Sequence, residues 1–172
     1  MNLSSQNITI IAAVFIVGFL LMIPFAIMQS KRKKKAADFV SQNEHQAILH
    51  LYAQAPVIDG QKVKEMAYVR GADLQYTVAL EPGKHTVLAK YMVSEPVLGK
   101  NINYTTPKPV ESEVFLEAGH EYTLSLYFYS PAQRKAYYEG DVGEDIYSQT
   151  LEISGSGLDG HKNAYIICYK EK

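Results

Sequence analysis

The chain of 172 residues has no tryptophan and a single cysteine, Cys168. One thiol excludes an intramolecular disulfide framework and any zinc site built from several cysteines. Acidic side chains are missing from the first 35 positions: all 18 Asp and Glu follow Lys35, whereas five of the 17 Lys and Arg are Lys31, Arg32, Lys33, Lys34 and Lys35. The 137 residues beyond that cluster carry 12 basic and 18 acidic side chains, a formal net charge of −6. Nucleic acid is therefore disfavoured as a partner, because phosphate binding needs a positive face. Catalytic signatures are also lacking. There is no His-Glu-x-x-His, no Cys-His ligand spacing and no EF-hand order of carboxylates. Gly155-Ser156-Gly157 lacks the flanking residues of a nucleophile elbow despite the nearby Ser154 and His161, and the glycines of 155–160 match dinucleotide spacing only partly.

What is present divides the chain in two. Residues 8–28 carry no charge and are interrupted only by Thr9, Gly18 and Pro24. As a helix they would reach roughly 31 Å, the thickness of a hydrocarbon core. No Lys or Arg precedes the run and five follow it, the reverse of a cleaved signal peptide, so the pattern predicts one uncleaved transmembrane helix. Basic residues beside a span stay on the cytoplasmic side, which predicts a short outer tail over 1–7 and a cytoplasmic C-terminal domain. Lys31, Arg32, Lys33, Lys34 and Lys35 would set this topology and could also hold anionic lipid headgroups. Residues 29–45 then read as a basic juxtamembrane segment and stalk. Two sequons, at Asn7 and Asn103, are too short a pattern to carry weight.

From 46 to 172 the hydrophobic period changes to two. Hydrophobic residues make up 47% of the chain and all 13 tyrosines lie beyond the apolar run, enough apolar surface for one packed domain rather than a disordered tail. Strands are predicted over 46–53, 63–70, 74–80, 86–93, 110–117, 121–129, 146–154 and 163–169, with Asp59-Gly60 as a turn. In the first, Ala47, Leu49 and Leu51 face one way and Ile48, His50 and Tyr52 the other. Residues 95–109, with three prolines, read as a surface loop. Ser130-Pro131 opens a short helix over 132–138, and 140–145 is an acidic loop. The fold class predicted is all-β: an antiparallel β-sandwich, immunoglobulin-like or transthyretin-like, after a single N-terminal transmembrane helix.

Leu80-Glu81-Pro82-Gly83-Lys84-His85 and Leu116-Glu117-Ala118-Gly119-His120-Glu121 share the form Leu-Glu-small-Gly-polar-polar, 36 residues apart. Both read as hairpin turns of one architecture in which glycine supplies a positive φ. On these turns the stretch 46–129 resembles small β-sandwich domains of bacterial surface and envelope proteins, PEGA-like and related uncharacterised families. The resemblance implies a sandwich without catalysis. It also implies an extracytoplasmic setting, against the charge pattern at 31–35, and it carries over no functional residue.

Five histidines, His45, His50, His85, His120 and His161, and the acidic loop with Glu139, Asp141, Glu144 and Asp145 supply metal-ligand types at no enforcing spacing, so no cofactor and no metal is expected. Cys168 lies between Ile167 and Tyr169 in a strand, where it reads as a small buried hydrophobe. The densest remaining signal is aromatic. Tyr127, Tyr129, Tyr137, Tyr138 and Tyr147 fall in one stretch, and outward-facing tyrosines suit a protein interface. The reading is a membrane-tethered, non-catalytic binding or scaffold domain for a protein partner. The competing class is a metal- or ligand-dependent enzyme or small-ligand-binding domain, which would need loop residues such as His85, His120, His161 and Asp141 to converge.

Overall fold

The computed structural model describes residues 5–71, 73–97, 100–154 and 161–172. It opens with helix α1, Ser5–Gln42, which carries Pro24 within it and runs unbroken through the basic cluster. Thirty-eight residues at about 1.5 Å each make a rod of roughly 57 Å. Among the described residues no helix is long and apolar enough to cross a membrane; the span expected over 8–28 lies largely outside the side chains described.

The rest is mostly strand, in sheets that are antiparallel except at one pair. Strands β1 (Ala47–Leu51), β2 (Gln54–Ile58), β3 (Gln61–Lys62), β4 (Tyr68–Arg70), β5 (Tyr76–Leu80) and β6 (Gly83–Lys90) come first. They are followed by β7 (Met92–Val97), β8 (Lys100–Thr105), β9 (Val110–Leu116), β10 (Glu121–Tyr127), helix α2 (Pro131–Tyr137), β11 (Glu144–Ser154) and β12 (His161–Lys170). A six-stranded sheet has the order β11-β12-β10-β1-β5-β4, a four-stranded sheet the order β3-β2-β6-β9, and β7 and β8 form a separate ribbon. Within the six-stranded sheet β1 pairs in parallel with β10, placing His50 beside Thr123, and antiparallel with β5, placing His50 beside Thr77.

The larger sheet turns Leu49, Leu51, Tyr76, Val78, Leu124, Leu126, Ile166 and Cys168 inward, and the smaller meets them with Ile58, Val87, Ala89, Val114 and Leu116. Each such aliphatic side chain contributes about 1.5–3 kcal/mol on full burial. This is the alternation expected from the sequence, in a sandwich-like arrangement.

Several expectations are corrected. The two glycine turns are not hairpins: β5 belongs to one sheet and β6 to the other, and the same is true of β9 and β10. Both turns carry the chain across the sandwich. Alternation cannot separate a hairpin from such a corner, because both bury Leu80 and Leu116 just before the turn. Gly83 and Gly119 do hold positive φ, +144° and +71°. Part of the expected loop over 95–109 is the β7–β8 ribbon, in which Pro96 stands opposite Asn101; a proline is tolerated in such a two-stranded ribbon because each strand is an edge. The stretch 63–70 divides into a 3₁₀ turn at Val63–Glu65 and the short β4. The strand expected over 74–80 begins only at Tyr76, and Leu74 is exposed with φ +65°. Strand β2 was not anticipated, although Asp59-Gly60 closes its turn onto β3 with both φ positive, the conformation such hairpins favour. The glycine-rich stretch 155–160, which reads as turn material, lies outside the described residues.

Candidate functional site

The outer face of the six-stranded sheet collects the polar chemistry. Inward residues of β1, β10 and β12 alternate with Ile48, His50, Glu121, Thr123, Tyr127, Tyr165, Ile167 and Tyr169 on this side, following the two-residue period. Just past β12 the Glu171 amide donates to the Glu121 carbonyl at 2.8 Å, so the two glutamates stand opposite each other across the strands.

Three side chains converge there. His50 Nε2 lies 2.9 Å from Glu121 Oε2, and its Nδ1 lies 3.0 Å from the hydroxyl of buried Thr77. Thr123 Oγ1 donates to Glu171 Oε1 at 2.6 Å. One ligand-type atom from each of His50, Glu121 and Glu171 lies within 4.8 Å of the other two. The imidazole is only 13% exposed. Tyr52, just past the end of β1, has its hydroxyl pushed up by burial and then by Asp73, Tyr169 and Glu171.

Glu171 also borders a cleft of about 440 Å³ with Tyr127, Arg134, Tyr138, Asp141, Gly143, Tyr169 and Lys172. Its floor is set by α2. Ser130 accepts from the Gln133 amide at 3.2 Å, the Gln133 side chain accepts from the Ser130 amide, and Pro131 begins the helix, a capping box that fixes the entry of the chain. The helix lowers Arg134 to 2% exposure, ion-paired with Asp145 and 4.5 Å from the Tyr169 ring. Burial, and then Tyr169, push the Tyr127 hydroxyl well above its usual range. Across the rim Lys172 Nζ meets Asp141 at 2.7 Å and holds that carboxyl below its usual range.

The five tyrosines singled out in the sequence separate into two kinds. Tyr129, Tyr137 and Tyr138 are exposed and touch: the Tyr129 and Tyr137 rings stack at 5.6 Å, and Tyr138 meets Tyr137 edge-on at 5.0 Å. Tyr127 is half-buried beside Arg134, and Tyr147 packs against the core with its hydroxyl donating to Gln149 at 2.7 Å. These two stand apart from the exposed group. Lys31, Lys33, Lys34 and Lys35 are exposed on α1, with Arg32 partly covered.

Among the described side chains the loop histidines His85 and His120 do not converge; the side chain of His161 lies outside those described. His85 is held by Asp59 at 2.6 Å and by the Glu81 carbonyl at 2.7 Å, whereas His120 faces Glu117 at 3.9 Å. Burial raises the Asp59 carboxyl, but the Thr86 amide and His85 outweigh it and hold the group below the usual carboxylate range. In the acidic loop, Asp141 and Asp145 are bound to different cations. Cys168 is buried on the core side, its thiol pushed up to about 12 by burial and then by Asp145.

The convergent group instead joins residues far apart in the chain, which no local spacing reveals. The one signal for it was the outward phase of His50 between the inward Leu49 and Leu51. No family model, curated protein or solved structure matches the chain.

Proposed function

We propose that this is a membrane-tethered, non-catalytic binding module whose α2 surface recognises a protein partner. The observation that carries the reading is the exposed group of touching rings Tyr129, Tyr137 and Tyr138, the last of which lines the Arg134 cleft. Rigid aromatic rings lose little rotamer entropy on contact and commonly form the centre of an interface. The capping box and buried Arg134 give that group a firm base, so little ordering remains for the moment of binding.

The tether is the charge-free run 8–28, with its basic flank as the topology signal and a cytoplasmic domain as the consequence. The fold is in this reading an immunoglobulin-like or transthyretin-like sandwich, and the two inter-sheet turns are the part that resembles PEGA-like domains.

The test uses the full chain in its own membrane, with a photo-crosslinking amino acid replacing Ala132 on the exposed side of α2. The protein so captured is then purified and titrated against the chain. Changing Tyr137 and Tyr138 together to Ala should weaken that complex by at least about 2 kcal/mol and leave the far-ultraviolet dichroism unchanged. Unchanged affinity would overturn the assignment of this surface. Release of the chain from membranes by alkaline carbonate would overturn the tether.

A further inference from the structure

We infer that His50, Glu121 and Glu171 form a binding site for one divalent transition-metal ion of the zinc class. The inference is independent of the tyrosine surface. Three strands or strand ends of one sheet supply the ligands: His50 from β1, Glu121 from the start of β10, and Glu171 from just beyond β12. Their ligand-type atoms already lie within 4.8 Å of one another. Bond lengths of about 2.0–2.2 Å to a central ion require those atoms to close to about 3.3 Å, a movement within side-chain reach. One imidazole and two carboxylates form an oxygen-and-nitrogen donor set, suited to Zn²⁺ and its neighbours rather than to ions that prefer thiolate.

Two further features point to a cation. Glu121 and Glu171 face each other on one side of the sheet, and like charges opposite each other on neighbouring strands repel. Among the described residues neither carboxylate is paired with a lysine or arginine; their side-chain partners are His50 and Thr123. The second feature is the support behind each donor. Without metal, Nε2–H of His50 donates to the Glu121 carboxylate, and Nδ1 stands within hydrogen-bond distance of the Thr77 hydroxyl. With metal on Nε2 the proton resides on Nδ1 and the same hydroxyl accepts it, since a threonine oxygen serves in either direction. Thr77 is fully buried. Thr123 correspondingly fixes one oxygen of Glu171 and leaves the other free to ligate. Metal-bound histidines are oriented in this way by a partner on the second ring nitrogen. Three protein ligands leave a coordination position open, and one of them, Glu171, also lines the Arg134 cleft.

The experiment titrates Zn²⁺ alone into the full chain in detergent micelles, by calorimetry, with the melting temperature followed in parallel. The expected result is one ion per chain at micromolar affinity or tighter, with a higher melting temperature as ion is added. His50→Gln and Glu171→Gln should each weaken binding by more than tenfold, and Thr77→Val by about tenfold, as supporting residues do. The doubly substituted His85→Gln, His120→Gln chain should bind as the parent does. With Co²⁺ in place of Zn²⁺, X-ray absorption should show oxygen and nitrogen neighbours and no sulfur. Failure of the parent chain to take up Zn²⁺ at micromolar concentration would overturn the site. So would affinity retained in Glu171→Gln, which lies past the last strand and decides the matter if His50→Gln unfolds.

Discussion

At the scale of single residues, backbone geometry and one carboxylate give direct tests. Gly119 at φ +71° lies beside the left-handed well that asparagine also reaches, whereas Gly83 at φ +144° lies outside it. Valine at either position should cost about 1–3 kcal/mol in urea unfolding of the full chain. Asparagine should restore most of that at Gly119 and little at Gly83. A Cβ at Gly119 would also sit 3.4 Å from the Glu44 carbonyl, close but tolerable, so backbone strain rather than crowding sets the loss. Asp59 supplies a pH dependence of known sign. Its carboxyl is held below its ordinary value in the folded chain, so it adds stability that is present above the unfolded value of about 3.9. That contribution disappears as pH falls through the lower folded value. Unfolding measured from about pH 5 to about pH 2 should therefore show a shallower acid slope for Asp59→Asn than for the parent.

At the scale of elements, α2 is short enough to depend on its cap. Isolated helices of 7 residues do not persist in water, and this one is held by the Ser130–Gln133 box and by Arg134 beneath it. Ser130→Ala should cost about 1 kcal/mol and speed amide exchange in the helix, without touching a tyrosine. This helix was legible in the sequence because its signals, Ser-Pro followed by helix formers, are local. The inward phases of Leu49, Val78, Val87 and Leu124 were legible for the same reason. Pairing was not. Whether Leu80 leads into a hairpin or across the sandwich depends on which sheet holds the next strand, and nothing within six residues of Gly83 encodes that. The parallel contact of β1 with β10 is more distant still: Ile48 meets Glu121, 73 positions on. The histidine and glutamates therefore met only in the fold, and the tyrosine stretch parted into exposed and packed members according to which strand face each occupied.

At the scale of the whole molecule, the position of β12 has a temporal meaning. Strand β12 joins β10 on one side and β11 on the other, so the six-stranded sheet is continuous only through residues 161–170. A polypeptide leaving the ribosome can assemble β1, β5 and β4 early, yet β10 keeps one bare edge and β11 has no neighbour in that sheet until residue 170 has been made. Non-local strand pairing of this kind is slow and leaves unpaired edges exposed meanwhile. A chain stopped after residue 160 should accordingly lack near-ultraviolet tyrosine dichroism and aggregate at concentrations where the full chain does not. Native-like dichroism in that truncation would show that the remaining strands close without β12. Until residues 161–170 have been made the six-stranded sheet is therefore in separate pieces, and their emergence is the event that joins β11 to the rest.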